Sequence, residues 1–441
     1  MGGRHTSHSV ENATRMRLSR SLHGLWRAAV RNPLKRLGAN LRRARALGAS
    51  GGLPVTVDWT TELAVVPFED RPPPPLAQCT VVEACRYPTK LHRLSVNSTT
   101  TEAMHYAPHM VDAPPLTLEH LVDQFWFPKL GLLVSKGGIV WRHSFLGPFQ
   151  PGFLASVKEI VDLPGPDGTP RPLFFPDRLA DAPRIAGERL LVANSEQPNY
   201  GHYLLDMVPL LHLGARMRAP MLTWALRPWQ RTLIARLDVP AGLIEEIRPP
   251  RPVLVEHAIV SNRMNGHSSQ NVHPQHRESF DLILANVRKA MPAYESPRRV
   301  VICRSLANSR NIRNRAEMIA ALEPLGFVAI QPEKLSFDQQ ALIFAQADVI
   351  VTEFGAAMSN AMFCRPGTQL VEIIAEGQHD PWSSHLAAMV GLEYVVLFQP
   401  QTEEALASAP RHVKDSIFAF EVDVKTLVET VRALVATTPG R

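Results

Sequence analysis

Five short apolar runs alternate with four amphipathic stretches between residues 300 and 398, and no other feature of this 441-residue chain limits its fold so strongly. The runs are Val300–Cys303, Val328–Ile330, Val349–Val351, Leu370–Ile374 and Tyr394–Phe398. Each is too short for a helix and most are rich in β-branched residues, so each reads as a buried strand. The stretches between them, 315–325, 336–346, 356–364 and 382–390, carry helical spacing. Strands joined by helices run parallel with helices on their faces, which predicts half of a doubly wound sheet. A last amphipathic helix is expected over 424–436, with Leu427, Val428, Val431 and Leu434 on one side.

The preceding stretch has a similar rhythm. Strands are predicted over 184–194, 220–226, 243–247 and 253–260. Helices are predicted from Asn199 onward, over 228–238 and over 277–290. Residues 261–276 form a polar loop with His267, His273 and His276, expected to be an exposed loop lining a binding site. Prolines at 292 and 297 suggest a boundary there. Residues 71–75 (RPPPP) read as a stiff linker, and 78–180 as irregular α/β. The expected organisation is therefore a basic extension 1–50, an α/β domain 51–292, a second α/β domain 293–405 and a helical segment 406–441.

Charge is concentrated at one end. Residues 1–50 hold eleven Lys/Arg and one acid, Glu11, whereas the remainder holds 36 basic and 40 acidic residues. A nucleic-acid-binding core would need its basic footprint on the folded body, so that class is disfavoured. Within 14–47, Leu18, Leu22, Leu25, Trp26 and Val30 recur near helical spacing, and Pro33 interrupts them. Either a solvated tail or an interfacial helix on anionic lipid fits this pattern. Cys79, Cys85, Cys303 and Cys364 match no zinc spacing, and a reducing compartment is the simplest reading, with a Cys79–Cys85 bridge left open. No run of 18 apolar residues is present, so the expected location is cytoplasmic, with peripheral contact at the inner face of the membrane.

Several common motifs are missing. There is no GxGxxG after a strand, no GxxxxGK[ST] and no HExxH, and Glu421-Val422-Asp423 is the nearest match to a metal-chelating carboxylate pair. No metal and no cofactor are expected. Polar loops instead follow the strands, on the side where open α/β sheets bind ligands. The loop from Arg304 to Asn314 carries Arg304, Arg310 and Arg313, suited to a diphosphate or simply solvated. Thr352–Asn360 opens a helix directly after a strand, where Gly355 allows a sharp turn and Ala356 begins the helix. Close helix–sheet packing would explain the same residues. Asn199–Pro209 places His202 and Asp206 four apart, on one helical face. That pair is either a general base with its orienting acid or a helix pin. Trp224 and Trp229 could stack on sugar faces, although burial is the commoner fate of Trp.

These segments resemble one family. NYGHYLLDMVPLL, CRSLANSRNIRN and the run from ALEPLGF to FGAAMSNAMFCRPGTQLVEI, together covering roughly residues 190–375, are similar to glycosyltransferase family 61 proteins, often associated with capsular polysaccharide synthesis. The resemblance implies a GT-B fold, a nucleotide-sugar donor used as substrate, inversion at the anomeric carbon and no metal. Matching positions are Asn199, His202, Asp206, Arg304, Arg310, Asn314, Gly355, Asn360, Gly367 and Glu372. Many members carry His where this chain has Phe354. The expectation is two Rossmann-like domains facing across a cleft. His202 and Asp206 are the catalytic candidates. Arg304, Arg310, Asn314, Gly355, Ala356, Asn360 and Glu372 are candidates for the donor, and Asn199 and Tyr200 lie on the acceptor side. The glycan or polysaccharide is the acceptor. Alternatives are a non-catalytic sugar or nucleotide binder and a membrane-associated scaffold of polysaccharide assembly.

Overall fold

The computed structural model describes residues 78–89, 108–137, 170–174, 176–194, 197–262, 272–304, 312–375, 381–400 and 420–437, with strand segments at 55–56, 93–95 and 160–164. The basic extension 1–50, the RPPPP segment, His267 and Arg310 lie outside the described residues.

Eighteen strands run in chain order among the described residues. They are β1 (Val55–Thr56), β2 (Gln78–Val82), β3 (Cys85–Pro88), β4 (Arg93–Ser95), β5 (Met110–Ala113), β6 (Leu116–Phe127), β7 (Leu132–Ser135), β8 (Ile160–Pro164) and β9 (Pro170–Phe174), followed by β10 (Arg184–Leu191), β11 (Met221–Trp224), β12 (Ile244–Ile247), β13 (Val253–Ser261), β14 (Arg299–Ile302), β15 (Val328–Ile330), β16 (Val349–Glu353), β17 (Gln369–Ala375) and β18 (Glu393–Gln399). They make a mixed α/β fold with two large sheets. The first has the order β12-β11-β10-β13-β6-β2, with β7 against β6; β10 to β13 are mutually parallel, and β6 joins β13 antiparallel. The second has the order β15-β14-β16-β17-β18-β4 and is parallel throughout.

Five strands of the second sheet fall where the apolar runs predict; four of them are buried on both faces and need no alternation to be recognised, while β15 lies exposed at the edge. Their side chains alternate between two cores. Val300, Ile302, Ile350, Leu370, Ile374, Tyr394 and Val396 join one cluster, while Val301, Val349, Val351, Val371, Ile373 and Val395 join another beneath helix Val424–Thr437. The sixth strand, β4, comes from far upstream and pairs with β18. Among the described residues of 78–180 the structure is mainly strands rather than the expected irregular α/β. Its 12-residue β6 is buried toward both ends, with Trp126 and Leu118 in the large core and Phe125 and Phe127 in a separate cluster with Phe174. Prolines obscured it, since they crowd the connections around it rather than β6 itself.

Two predicted helices are irregular. The stretch after Asn199 begins as one turn, Tyr200–His202, widens into a π turn, Tyr203–Met207, and only then becomes the α-helix Val208–Met217. Pro209 explains the widening. A proline inside a helix has no N–H to donate and crowds the carbonyl four residues earlier, here Leu205. The chain responds with an i→i+5 bond from Val208 N–H to Tyr203 O. Residues 356–363 form a 3-10 helix rather than an α-helix, with Met358 N–H bonded to Gly355 O at 2.9 Å. Ser359 Oγ donates to Ala356 O at 2.7 Å, taking an acceptor that an α-helical turn would use.

Helix Pro274–Ala290 precedes the proline-marked boundary yet packs on both sides of it. It touches helices Val208–Met217 and Pro228–Arg236 as well as Phe337–Gln346 and the 3-10 helix. Phe280 meets Phe363 with ring centroids 4.9 Å apart, and Phe363 meets Phe337 at 5.9 Å. A single apolar cluster therefore runs from the first sheet to the second. A bidentate ion pair adds direction: Arg236 Nε donates to Asp338 Oδ1 at 3.1 Å and Nη2 to Oδ2 at 2.7 Å, with Asp338 buried. Paired donors on a charged acceptor hold register as well as energy. We expect Arg236→Ala to destabilise the protein by about 1.5–3 kcal/mol, the range for charged hydrogen bonds. Urea unfolding reads this as a lower midpoint at an unchanged slope; a midpoint equal to the parent's would remove the pair from the account.

Candidate functional site

Three strand ends converge. β10, β14 and β16 each deliver a polar loop from the C-terminal edge of a parallel strand, at Asn199, Arg304 and Glu353 respectively. Open α/β sheets bind ligands along this edge.

At the first, Asn199 has extended backbone and its side chain accepts from Gly201 N–H at 3.0 Å, capping the helical turn. His202 and Asp206 then meet as their spacing predicts, Nδ1 to Oδ2 at 3.1 Å. Asp206 is fully buried, whereas the imidazole is 30% exposed. One end of the pair is locked in protein and the other reaches the surface of the site.

At the third, Gly355 adopts φ 154° and ψ −175°, a backbone region open in practice only to glycine. A Cβ there would overlap the guanidinium of Arg304, which lies directly over the turn. The structure thus brings together two elements that sequence spacing could only list side by side. Burial lowers the pKa of Arg304, opposed by Glu353 and Glu333, and the group stays cationic because its starting value is so high. Among the described residues, no carboxylate forms an ion pair with Arg304. Its neighbour Arg315 takes that place: Nη2 reaches Glu353 Oε1 at 2.9 Å, and Nη1 donates to Arg304 O at 2.8 Å. Burial pushes the Glu353 carboxyl up, with Arg315 and Arg304 pulling it back. Arg315 thereby anchors the backbone of Arg304 and pairs with the acid beside it.

The two clusters touch. Gly201 packs so closely on Ala356 that a Cβ would lie 3.2 Å from Ala356 Cα. Tyr200 Oη donates to Asn360 Oδ1 at 2.7 Å, and Asn360 Nδ2 donates to Gln340 Oε1 at 3.1 Å. Burial raises the Tyr200 phenol well above its usual range, so it remains a neutral donor. Tyr200 and Asn360, expected to face acceptor and donor, are therefore tied to one another across the junction. Trp229 packs edge-on or tilted against Tyr203 and Tyr200, at 5.2 and 5.0 Å.

Other candidates lie elsewhere. The Asn314 side chain clamps the C-terminal segment, bonding Val422 O and Val422 N–H at 2.9 Å each. Glu372 shares the inner face of β17 with Leu370 and Ile374, is fully buried and accepts from Tyr394 Oη. Gly367, with φ 80°, turns the chain ahead of β17, at the opposite edge from the ligand side. Phe354 is buried edge-on to Trp382 at 6.0 Å. His273 and His276 are buried, not exposed: they open helix Pro274–Ala290, and His276 turns inward to bond Leu205 O. Sequence reasoning missed Gln340, Arg277 and the bracing role of His276. Only tertiary contact gives them meaning. Among the described residues no group of three or more His, Cys, Asp or Glu could hold a metal ion, and no helix is long and apolar enough to cross a membrane.

Residues 200–371, which span His202, Arg304 and Gly355, match the family model described as glycosyltransferase 61. Among solved structures, the chain is similar to the ADP-heptose lipopolysaccharide heptosyltransferase II of E. coli, at 12% identity and a TM-score of 0.30, with 58% of this chain and 100% of that one covered. It is also similar to a family 9 glycosyl transferase from Veillonella parvula, at 8% identity and a TM-score of 0.29, covering 58% and 97%. No curated protein matches. Superpositions this loose carry no argument about the arrangement of the sheets, so the family match stands on the residues it spans: the stretch 200–371 belongs to the glycosyltransferase 61 family, and the protein is a glycosyltransferase.

Proposed function

We propose that the enzyme performs an inverting, metal-independent transfer of a sugar from a nucleotide-sugar donor to a glycan or polysaccharide acceptor, the acceptor class that the family resemblance implies. One observation supports this most: the His202–Asp206 pair and the Gly355–Arg304 turn abut through the Gly201–Ala356 contact. A base and a cationic turn, side by side at strand ends, are the two parts a single displacement needs. The two sheets act as the Rossmann-like halves of a GT-B arrangement, the first taking the acceptor and the second the donor.

Asp206 holds the Nδ1–H of His202, which leaves Nε2 to accept the proton of the acceptor hydroxyl. The acceptor oxygen attacks the anomeric carbon from the face opposite the nucleotide, and the bond to the diphosphate breaks as the new bond forms. Negative charge then grows on the leaving diphosphate. Arg304 and Arg310 meet it, together with the backbone N–H groups that open the 3-10 helix after Gly355. Among the described residues no carboxylate forms an ion pair with Arg304, although Glu353 and Glu333 lie near enough to stabilise its charge.

Three outcomes are expected. Arg304→Ala weakens binding of nucleoside diphosphates by about 1.5–3 kcal/mol, the worth of a charged hydrogen bond, and Gly355→Ala acts in the same direction by displacing that guanidinium. Calorimetric titration with UDP, GDP and CDP checks this, and parent-like affinity in both variants would move the donor site elsewhere. Second, His202→Ala lowers turnover by about 10²–10⁴-fold at unchanged donor affinity, the usual loss of a general base. A pair that only pins the helix would instead lower the melting temperature and leave turnover per folded molecule intact. Third, turnover persists in EDTA; loss there, with recovery on adding Mn²⁺ or Mg²⁺, would mean that a metal carries the leaving-group charge.

A further inference from the structure

The turn that carries Asp206 is interrupted by a proline. In an α-helix Leu205 O would accept from the N–H of residue 209, and Pro209 has none. A buried carbonyl without a donor costs free energy comparable to a lost hydrogen bond. Here the donor comes from another element. His276, 1% exposed, places Nε2 2.7 Å from Leu205 O, the residue next to Asp206. The other ring nitrogen, Nδ1, accepts from His273 N–H at 3.0 Å, a bond that a backbone donor can make in one direction only. Nδ1 also lies 3.1 Å from His273 O, but Nε2 faces the Leu205 carbonyl, which can only accept, so Nε2 carries the proton that Leu205 O receives.

The neighbouring residue braces the opposite cluster. Arg277 Nη1 donates to Met362 O at 3.2 Å and Cys364 O at 3.1 Å, at the far end of the 3-10 helix that begins beside Gly355. One turn of helix Pro274–Ala290 therefore holds both the π turn under His202–Asp206 and the helix leading from the cationic turn. A second tie, between His212 Nδ1 and Ser279 Oγ at 2.9 Å, keeps the same two helices in register one turn further on.

We propose that His276 is a positioning residue for the reaction: by bonding Leu205 O it holds the π turn in the shape that aims Asp206 at His202 Nδ1. This rests on the assignment of His202 as base. Displacement of a catalytic group by about 1 Å costs on the order of 10²-fold in rate, so the hydrogen bond acts on turnover more than on substrate affinity.

Three variants test it in the full chain. Asparagine keeps an acceptor for His273 N–H but falls short of Leu205 O; phenylalanine loses both bonds; glutamine reaches Leu205 O. His276→Asn and His276→Phe should lower kcat by about 10²-fold with KM and nucleotide affinity near the parent's, and His276→Gln should recover most of it. The ¹⁵N shifts of the His202 ring give a readout independent of turnover: the parent and His276→Gln hold the proton on Nδ1, whereas His276→Asn and His276→Phe lose that preference. His276→Asn with parent-like kcat and parent-like His202 shifts would overturn the proposal, as would a His276→Gln variant no better than His276→Asn. Should the His202 shifts respond as described while His202→Ala retains turnover, the positioning stands and the base assignment fails instead.

Discussion

Gly201 and Ala356 touch backbone to backbone, and the candidate site exists because they can. Helices of ordinary composition keep their axes 8–10 Å apart, with side chains filling the gap. A Cβ on residue 201 would stand 3.2 Å from Ala356 Cα, tighter than nearly all such contacts, so even alanine there would need the two turns to shift by a few tenths of an ångström. Residue 202 follows directly on one side and residue 355 precedes directly on the other. The hydrogen-bond line from Tyr200 through Asn360 to Gln340 then fixes the angle at which the turns meet.

Two backbone irregularities sit on either side of this contact, and each has a chemical cause. Pro209 withholds a donor, the chain widens into a π turn and His276 supplies the missing hydrogen. Gly355 adopts a conformation that other residues avoid, and the Arg304 guanidinium fills the space where a side chain would be. Neither is costly to the whole, because each orphaned group has been given a partner or a role.

Charge around the turn is arranged by the same economy. Arg315 and Glu353 are both buried, and each would be expensive alone; together they neutralise one another beneath the loop. Arg304 lies beside that pair without joining it, and Arg315 grips its backbone instead.

Sequence alone determined five of the six strands of the second sheet almost to the residue, since runs such as Val349–Val351 and Leu370–Ile374 are apolar almost throughout, as central strands are. It also determined the His202–Asp206 pairing, because four-residue spacing is a local property that survives even a π turn. It did not give β6, which pairs with β13 from far downstream, and it could not show that the side chains of Asn314 and Glu372 are engaged by Val422 and Tyr394 from 108 and 22 residues away. A polar residue in a motif reads the same whether it faces a ligand or a distant backbone. Only the tertiary structure decided that Gly201 meets Ala356, that Arg304 lies on Gly355 and that His276 turns inward to a carbonyl of another helix. These are contacts between elements, and no periodicity within one element encodes which face of another it will meet.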